Sequence, residues 1–244
     1  MKSFNKLLLF VLAFAVIGLV TVSAVVPFGA ETVTEENSTR APIADPENHS
    51  AIAGNVTELT IVATSVTQTW QGYFGNVSGT IELADSADNI MYNWSLADPE
   101  GEVYATTSGT VAWADIACFD LDANHLAVES NFNILTDDVD GLNETFSDTI
   151  AHDEFFTNNV QFTENNCSAS FIFDDSGIGV DNHFEEVLLT DQSANDQIIF
   201  VALIEEVSVD GFDGRDHDFQ MLVLEDGHGT DLDTTTYFFY VELE

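Results

Sequence analysis

Basic residues are almost missing from this chain. Its 244 residues hold four Lys and Arg together, at Lys2, Lys6, Arg40 and Arg215, against 43 Asp and Glu, for a formal charge of −39. Every acid lies at or after Glu31, so loss of the first thirty residues would leave 2 − 43 = −41 and no lysine. Without a basic patch, nucleic-acid binding through phosphate contacts is excluded, and docking on anionic lipid is equally disfavoured. Without lysine, Schiff-base chemistry is closed to the mature chain. Self-repulsion of this size opposes a compact state in dilute buffer. It is tolerable where salt shortens the screening length to roughly 3 Å, near 1 M. A salt-adapted extracellular protein is therefore expected, with saturation by divalent cations as the alternative.

Catalytic signatures are missing as well. No Gly-X-Ser-X-Gly elbow is present. The six histidines (His49, His125, His152, His183, His217 and His228) form no HExxH or other close ligand pair. A carboxylate pair for glycoside cleavage does not stand out among 43 acids. Cysteine is limited to Cys118 and Cys167, neither in a CxxC motif.

What is present points outside the cell. Lys2 and Lys6 precede the apolar run LLLFVLAFAVIGLV at residues 7–20, and Val22-Ser23-Ala24 supplies a small-residue cleavage pattern. Residues 1–30 are read as a signal peptide. In a second reading the apolar run continues to Ala30 and stays as an N-terminal membrane anchor, the only membrane contact expected. In an exported chain the two cysteines are expected to form one disulfide, worth roughly 4 kcal/mol in the chain-entropy model. Asn37, Asn48, Asn55, Asn76, Asn93, Asn143 and Asn166 each begin an Asn-X-Ser/Thr acceptor. Seventeen asparagines in a chain about one-sixth Ser and Thr give roughly three such acceptors by chance. The excess marks a glycoprotein.

Residues 31–54 are polar, with two prolines and two acceptors, and read as a glycosylated linker. From Asn55 onward, runs rich in Val, Ile, Thr, Phe and Tyr alternate with Gly, Asp and Asn, and no stretch holds a sustained helical period. Residues 55–244 are thus expected to form a single antiparallel β-sandwich, all-β and jelly-roll-like. QIIFVALI at 197–204 is nearly continuous apolar, as in a central strand covered on both sides. The last run reaches Glu244, and no C-terminal anchor is expected. In NIMYNWSL at 89–96, Ile90, Tyr92, Trp94 and Leu96 share one face and Asn93 the other. In YFGNVSGTIEL at 73–83, Tyr73, Val77, Ile81 and Leu83 share a face. Phe74 has outward parity unless a bulge near Gly72 or Gly75 re-aims it. That leaves Trp70 and Phe74 as candidate binding aromatics.

The densest acid cluster, DGFDGRDHDF, sets Asp210, Asp213, Asp216 and Asp218 among glycines and His217. Several carboxylates on a Gly-turned loop are what Ca²⁺ needs, so these four are the candidate calcium ligands. A solvated acidic loop is the competing reading, favoured by Arg215 within it. TDDVDGLNET offers Asp137, Asp138, Asp140 and Asn143 in the same style, without EF-hand spacing.

The motifs WQGYFGNVSGTIEL, YNW, GEVYAT, EEVLLTD, GFDG, DFQML and TTYFFYVELE together resemble a family of exported archaeal cell-surface proteins. The resemblance spans about residues 54–244 and implies an archaeal surface setting, with no activity attached. The expected function is a non-enzymatic surface glycoprotein, a structural subunit of an envelope, sheath or filament. Its partners would be further copies, other envelope proteins or glycans. A glycan- or cell-binding adhesin, calcium-dependent or not, is the alternative, and a secreted hydrolase the third.

Overall fold

The apolar run at residues 197–204 becomes the centre of the molecule. The computed structural model describes residues 26–96, 99–193, 197–205, 209–226 and 234–243, and its thirteen strands are numbered β1 to β13 in chain order. The run forms β11 (Ile198–Leu203), flanked by β5 (Gly101–Thr106) and β10 (Glu185–Asp191), both antiparallel to it. Outward from β5 come β13 (Phe238–Leu243) and the two-residue β1 (Phe28–Gly29). The far edge of β10 carries two short strands, β6 (Ile116–Cys118) and β9 (Ala169–Phe171). The all-β antiparallel expectation is met.

A strand that is apolar at every position needs cover on both faces, and β11 has it. Ile198, Phe200 and Ala202 join one core, with Val103, Ala105 and Leu188 of the neighbouring strands. Ile199 and Val201 join a second, with Tyr104, Val187 and Leu189. The first face is covered by an antiparallel ribbon of β2 (Trp70–Gly75) and β12 (Phe219–Leu224), which contributes Met221, Val223 and Leu224. The second lies under Trp113, Ile116 and the hairpin of β7 (Phe155–Thr157) and β8 (Val160–Phe162), whose Phe155 and Phe162 rings stack at 5.0 Å. The layers are unequal: a seven-stranded sheet faces a two-stranded ribbon, where a jelly roll would set two similar sheets together.

The disulfide Cys118–Cys167 forms as the cysteine count implies, with 5.1 Å between the α-carbons. Cys118 ends β6 and Cys167 lies two residues before β9. The bond therefore ties together the two short strands that cover one edge of β10. Short, covered edges are how sheets avoid pairing with other chains.

Three expectations are corrected. A helix, α1 (Leu121–Asn131), covers part of the first core where no helical period was read. Of its residues only Leu121, Val128 and Glu129 are buried, so it has no apolar stripe to detect. It is set by its ends: Asp120 accepts from the Ala123 N–H at the start. At the finish Asn133 takes φ 53° while Ile134 N–H reaches back to the Glu129 carbonyl, a Schellman closure. The Glu129 carboxylate then accepts from Leu142 N–H, fixing the one-turn α2 (Leu142–Thr145) beside it. Second, after Ala30 no strand occurs before Trp70, so the linker extends well past Asn55. Third, β1 lies inside the stretch read as leader, yet it pairs with Tyr240 and Val241 of β13. The end of that stretch belongs to the folded body. Residues 1–25, with the leader's basic and apolar parts, lie outside the described residues.

Candidate interaction surfaces

The strands β3 (Thr80–Ala84) and β4 (Ile90–Ser95) pair with each other in a separate two-stranded sheet. Their turn is well built. The Asp85 carboxylate accepts from the N–H groups of Ala87 and Asn89 and from the Asn89 side chain, and Asp88 takes φ 59°. Those bonds, with the Asn89 side chain first, hold the Asp85 carboxyl below its ordinary range. Register sets Ile81 opposite Trp94 and Leu83 opposite Tyr92, so the apolar face expected from alternation exists. It is not covered: Ile81 is 47% exposed, Trp94 50% and Tyr92 60%. Among the described residues the hairpin's base meets the core through Val77 and Leu96.

The acid-rich loop closes on itself. Asp210 and Asp216 form an antiparallel bridge, and Gly211 N–H donates to the Arg215 carbonyl at 2.8 Å. Asp213 is engaged by the Arg215 guanidinium and by His217 Nε2 at 2.9 Å. Arg215 first, then His217, holds its carboxyl below the usual range. Asp218 turns the other way and accepts from Val77 N–H. The four candidate calcium ligands therefore do not converge. Among the described residues, no three His, Cys, Asp or Glu are grouped to hold a metal ion. The second acidic stretch is likewise spent on structure: Asp138 accepts from Leu135 N–H, and Asp140 takes Thr67 Oγ1 on its side chain and the Trp70 indole on its carbonyl.

The two candidate aromatics part company. Trp70 is half-buried, bonded through Nε1 to the Asp140 carbonyl at 2.7 Å and packed on Phe146 and Phe200. It is a core tryptophan. β2 has unbroken register with β12, so no bulge re-aims Phe74. That ring stays exposed, edge-on to Phe212 at 4.9 Å and beside His217.

A neighbouring turn completes this surface and was missed. Asp174 bridges to Gly211, takes both the N–H and hydroxyl of Ser176, and meets His183 Nδ1 at 3.0 Å. Ser176 first and His183 after it lower its carboxyl. Phe173, Ile178 and Phe212 are exposed around the two turns. The cue in the sequence was the repeated Asp-turn-Gly pattern, with Gly177 and Gly214 both at positive φ (73° and 70°).

Carboxylates do meet inside the protein. Tyr104 OH lies 3.3 Å from Glu102, 3.1 Å from Glu242 and 3.1 Å from Thr157 Oγ1, and Asn158 N–H donates to Glu242. Glu102 and Glu242 are register partners on β5 and β13. Tyr104, Glu102 and Glu242 are all buried, so this network fixes strands and offers no access to a substrate. Burial raises the Tyr104 hydroxyl well above its ordinary value, the two glutamates adding to it. On β10, Glu185 accepts from the N–H groups of Asp153 and Asn182, and burial pushes its carboxyl up to about 7. Its neighbour Glu186 is fully buried with only Leu222 N–H on one oxygen, and desolvation raises it well above the carboxylate range.

All seven glycosylation acceptors, Asn37, Asn48, Asn55, Asn76, Asn93, Asn143 and Asn166, are exposed. His152 is buried and structural: its Nε2 accepts from Cys167 N–H and its Nδ1 donates to the Asp153 carbonyl. His228 lies outside the described residues. Among the described residues no helix is long and apolar enough to cross a membrane. Comparison with known proteins finds no matching family model, no similar curated protein and no similar solved structure. The resemblance to exported archaeal surface proteins rests on the sequence motifs alone.

Proposed function

We propose that the chain is a non-enzymatic extracellular surface glycoprotein, a structural subunit of an envelope, sheath or filament in a salt-adapted archaeon. The observation that carries this reading is the open apolar face of the β3–β4 hairpin. In a chain of charge −39, a contiguous face of Ile81, Leu83, Tyr92 and Trp94 left in water marks an interaction site. Exposed acceptors and a disulfide suit the extracellular setting. Sedimentation and electron microscopy of the purified protein in about 1 M salt, with and without calcium, test it. Ordered assemblies are expected, and a strictly monomeric protein under both conditions overturns the subunit reading. The salt adaptation has its own test. Circular dichroism should show structure lost as sodium chloride is removed, and an unchanged spectrum in dilute buffer free of divalent ions overturns it.

The adhesin reading is favoured by one observation, the exposed Phe74–Phe212 pair beside Arg215 and Asp213. Ring faces next to a charged pair are a common way of holding a sugar. A glycan screen in high salt should then give signals that Phe212→Ser abolishes, and silence on every glycan removes this reading. The sealed Glu102–Glu242 pair gives the hydrolase reading no support.

A further inference from the structure

Residues 55–69, NVTELTIVATSVTQT, are a strand without a sheet. Nine of the fifteen are Val, Ile or Thr, one (Glu58) is charged, and none is Gly or Pro. Such composition favours a pleated, partly buried setting. In the structure the stretch forms no strand, and Ile61 is 84% and Val62 89% exposed. The β3–β4 hairpin has the complementary lack. Among the described strands each of its two has only the other as partner, and a two-stranded ribbon alone is marginal in water until a third strand or a packed face supports it.

We propose that residues 57–66 of one copy add as a third strand to the β3–β4 hairpin of a second copy. Leu59, Ile61 and Ala63 alternate onto one side of such a strand, where they would continue the face of Ile81, Leu83, Tyr92 and Trp94. Charge favours this contact over others between copies. Two chains of −39 repel, and the joint pairs a segment carrying one acid with a face carrying none. Glu82 and the acceptor Asn93 stand opposite each other in register, on the other face of the hairpin.

The segment's own chain holds it away from its own hairpin. Thr67 Oγ1 is bonded to Asp140, and the chain then enters β2 at Trp70, itself tied to the Asp140 carbonyl. That anchors the Thr67 end of the segment at the end of β2 opposite the Thr80 start of β3, a six-residue strand or roughly 17–20 Å away. The chain does bend at Gln68 and Thr69, where Thr69 N–H donates to Thr67 Oγ1, yet residues 57–66 form no ladder with β2, whose partner is β12. Each copy thus has one strand to give and one hairpin to receive, and this head-to-tail arrangement propagates into an open chain. The inference rests on the reading of the protein as an assembling subunit and names the joint.

Two exposed-site variants of the full chain test it in about 1 M salt. Ile61→Asp with Val62→Asp disables the giving strand, and Trp94→Ser with Tyr92→Ser disables the receiving hairpin. Each alone should keep the wild-type circular dichroism spectrum and remain monomeric at concentrations about ten times those at which wild type assembles. Mixed, they should form a discrete one-to-one dimer, because one intact strand meets one intact hairpin. Hydrogen exchange should show residues 57–66 protected in the wild-type assembly and unprotected in the Trp94→Ser, Tyr92→Ser variant. Assembly of either variant alone at wild-type concentrations, or a mixture that stays monomeric, overturns the strand-donation proposal while leaving the subunit reading intact. Protection of 57–66 in a monomer also overturns it, by placing the segment on its own chain. Wild type that never assembles overturns both.

Discussion

β11 and β4 are both six-residue strands with strongly apolar sequences, IIFVAL and IMYNWS, and they end in opposite environments. β11 has a strand on either side and a core on either face, and five of its six residues are buried. Among the described strands β4 has one neighbour, and all six of its residues are exposed. Local code decides that each is a strand and which side chains share a face. What lies across from that face is decided elsewhere in the chain, or in another chain. The fold covers both faces of its central strand and leaves the hairpin's apolar face open.

Breaking the satisfied side should have the largest effect. Phe200 is fully buried between the rings of Trp70, Phe146 and Tyr237. Phe200→Ala should cost about 3–5 kcal/mol, a large part of an ordinary domain's stability of roughly 5–15 kcal/mol, read from a denaturant titration in high salt. A loss under about 1 kcal/mol would mean the two-faced core is not what holds the sheet. Removing the Cys118–Cys167 bond with Cys118→Ser and Cys167→Ser should cost about 4 kcal/mol for a separation of 49 residues. Hydrogen exchange should rise first in β6 and β9, the strands it joins. Uniform loosening would show that the bond acts only on the unfolded chain.

Acidity sharpens the comparison next, because buried carboxyls lie in the body, with Glu185 and Glu186 on β10, Glu102 on β5 and Glu242 on β13, and none on the hairpin. Glu185 has its carboxyl raised from 4.5 to about 7 by burial. The folded state therefore holds that proton more tightly than the unfolded state. Its stabilisation is complete below about pH 4.5 and is lost as pH rises through about 7. The lowered carboxyls of Asp85, Asp174 and Asp213 act with the opposite sign, at pH below their ordinary value of 3.8. Melting in constant salt should therefore be higher at pH 5 than at pH 8, with Glu185 contributing on the order of 3 kcal/mol. Glu185→Gln should reduce the difference without removing it, because burial raises Glu186 in the same direction. Stability that is level or rising across that interval would contradict the assignment.

Much of the β architecture was legible because it follows from alternation and apolar runs. β11 announces its two-sided burial by having no polar position, and the face of β4 is read correctly down to Tyr92 and Trp94. The disulfide follows from a count of two. α1 was not legible: its helix is written in its capping residues, Asp120 and Asn133, and not in a stripe. The acid-rich loop misled because composition shows how many carboxylates lie close in sequence, not where they point. Asp213 goes to Arg215 and His217 while Asp218 goes to Val77. Residues 55–69 misled because a strand composition makes a strand only where a neighbouring strand is available, and in the structure they form none.

The smallest expected effect on stability separates the two regions most sharply. Trp94→Ser removes the largest ring of the hairpin face, and in the isolated chain that ring stands opposite Ile81 and beside Tyr92, 4.9 Å away. Its side chain is already half in water. Losing it should change monomer stability by no more than about 0.5 kcal/mol, as for other surface sites, against several for Phe200→Ala. If the hairpin instead belonged to the same cooperative core as β11, Trp94→Ser would lower the denaturation midpoint by a large fraction of the Phe200→Ala effect. A near-neutral result means that this apolar face does nothing for the fold that carries it. Its aromatic residues are then explained by contacts outside the chain, where loss of Trp94 should be felt.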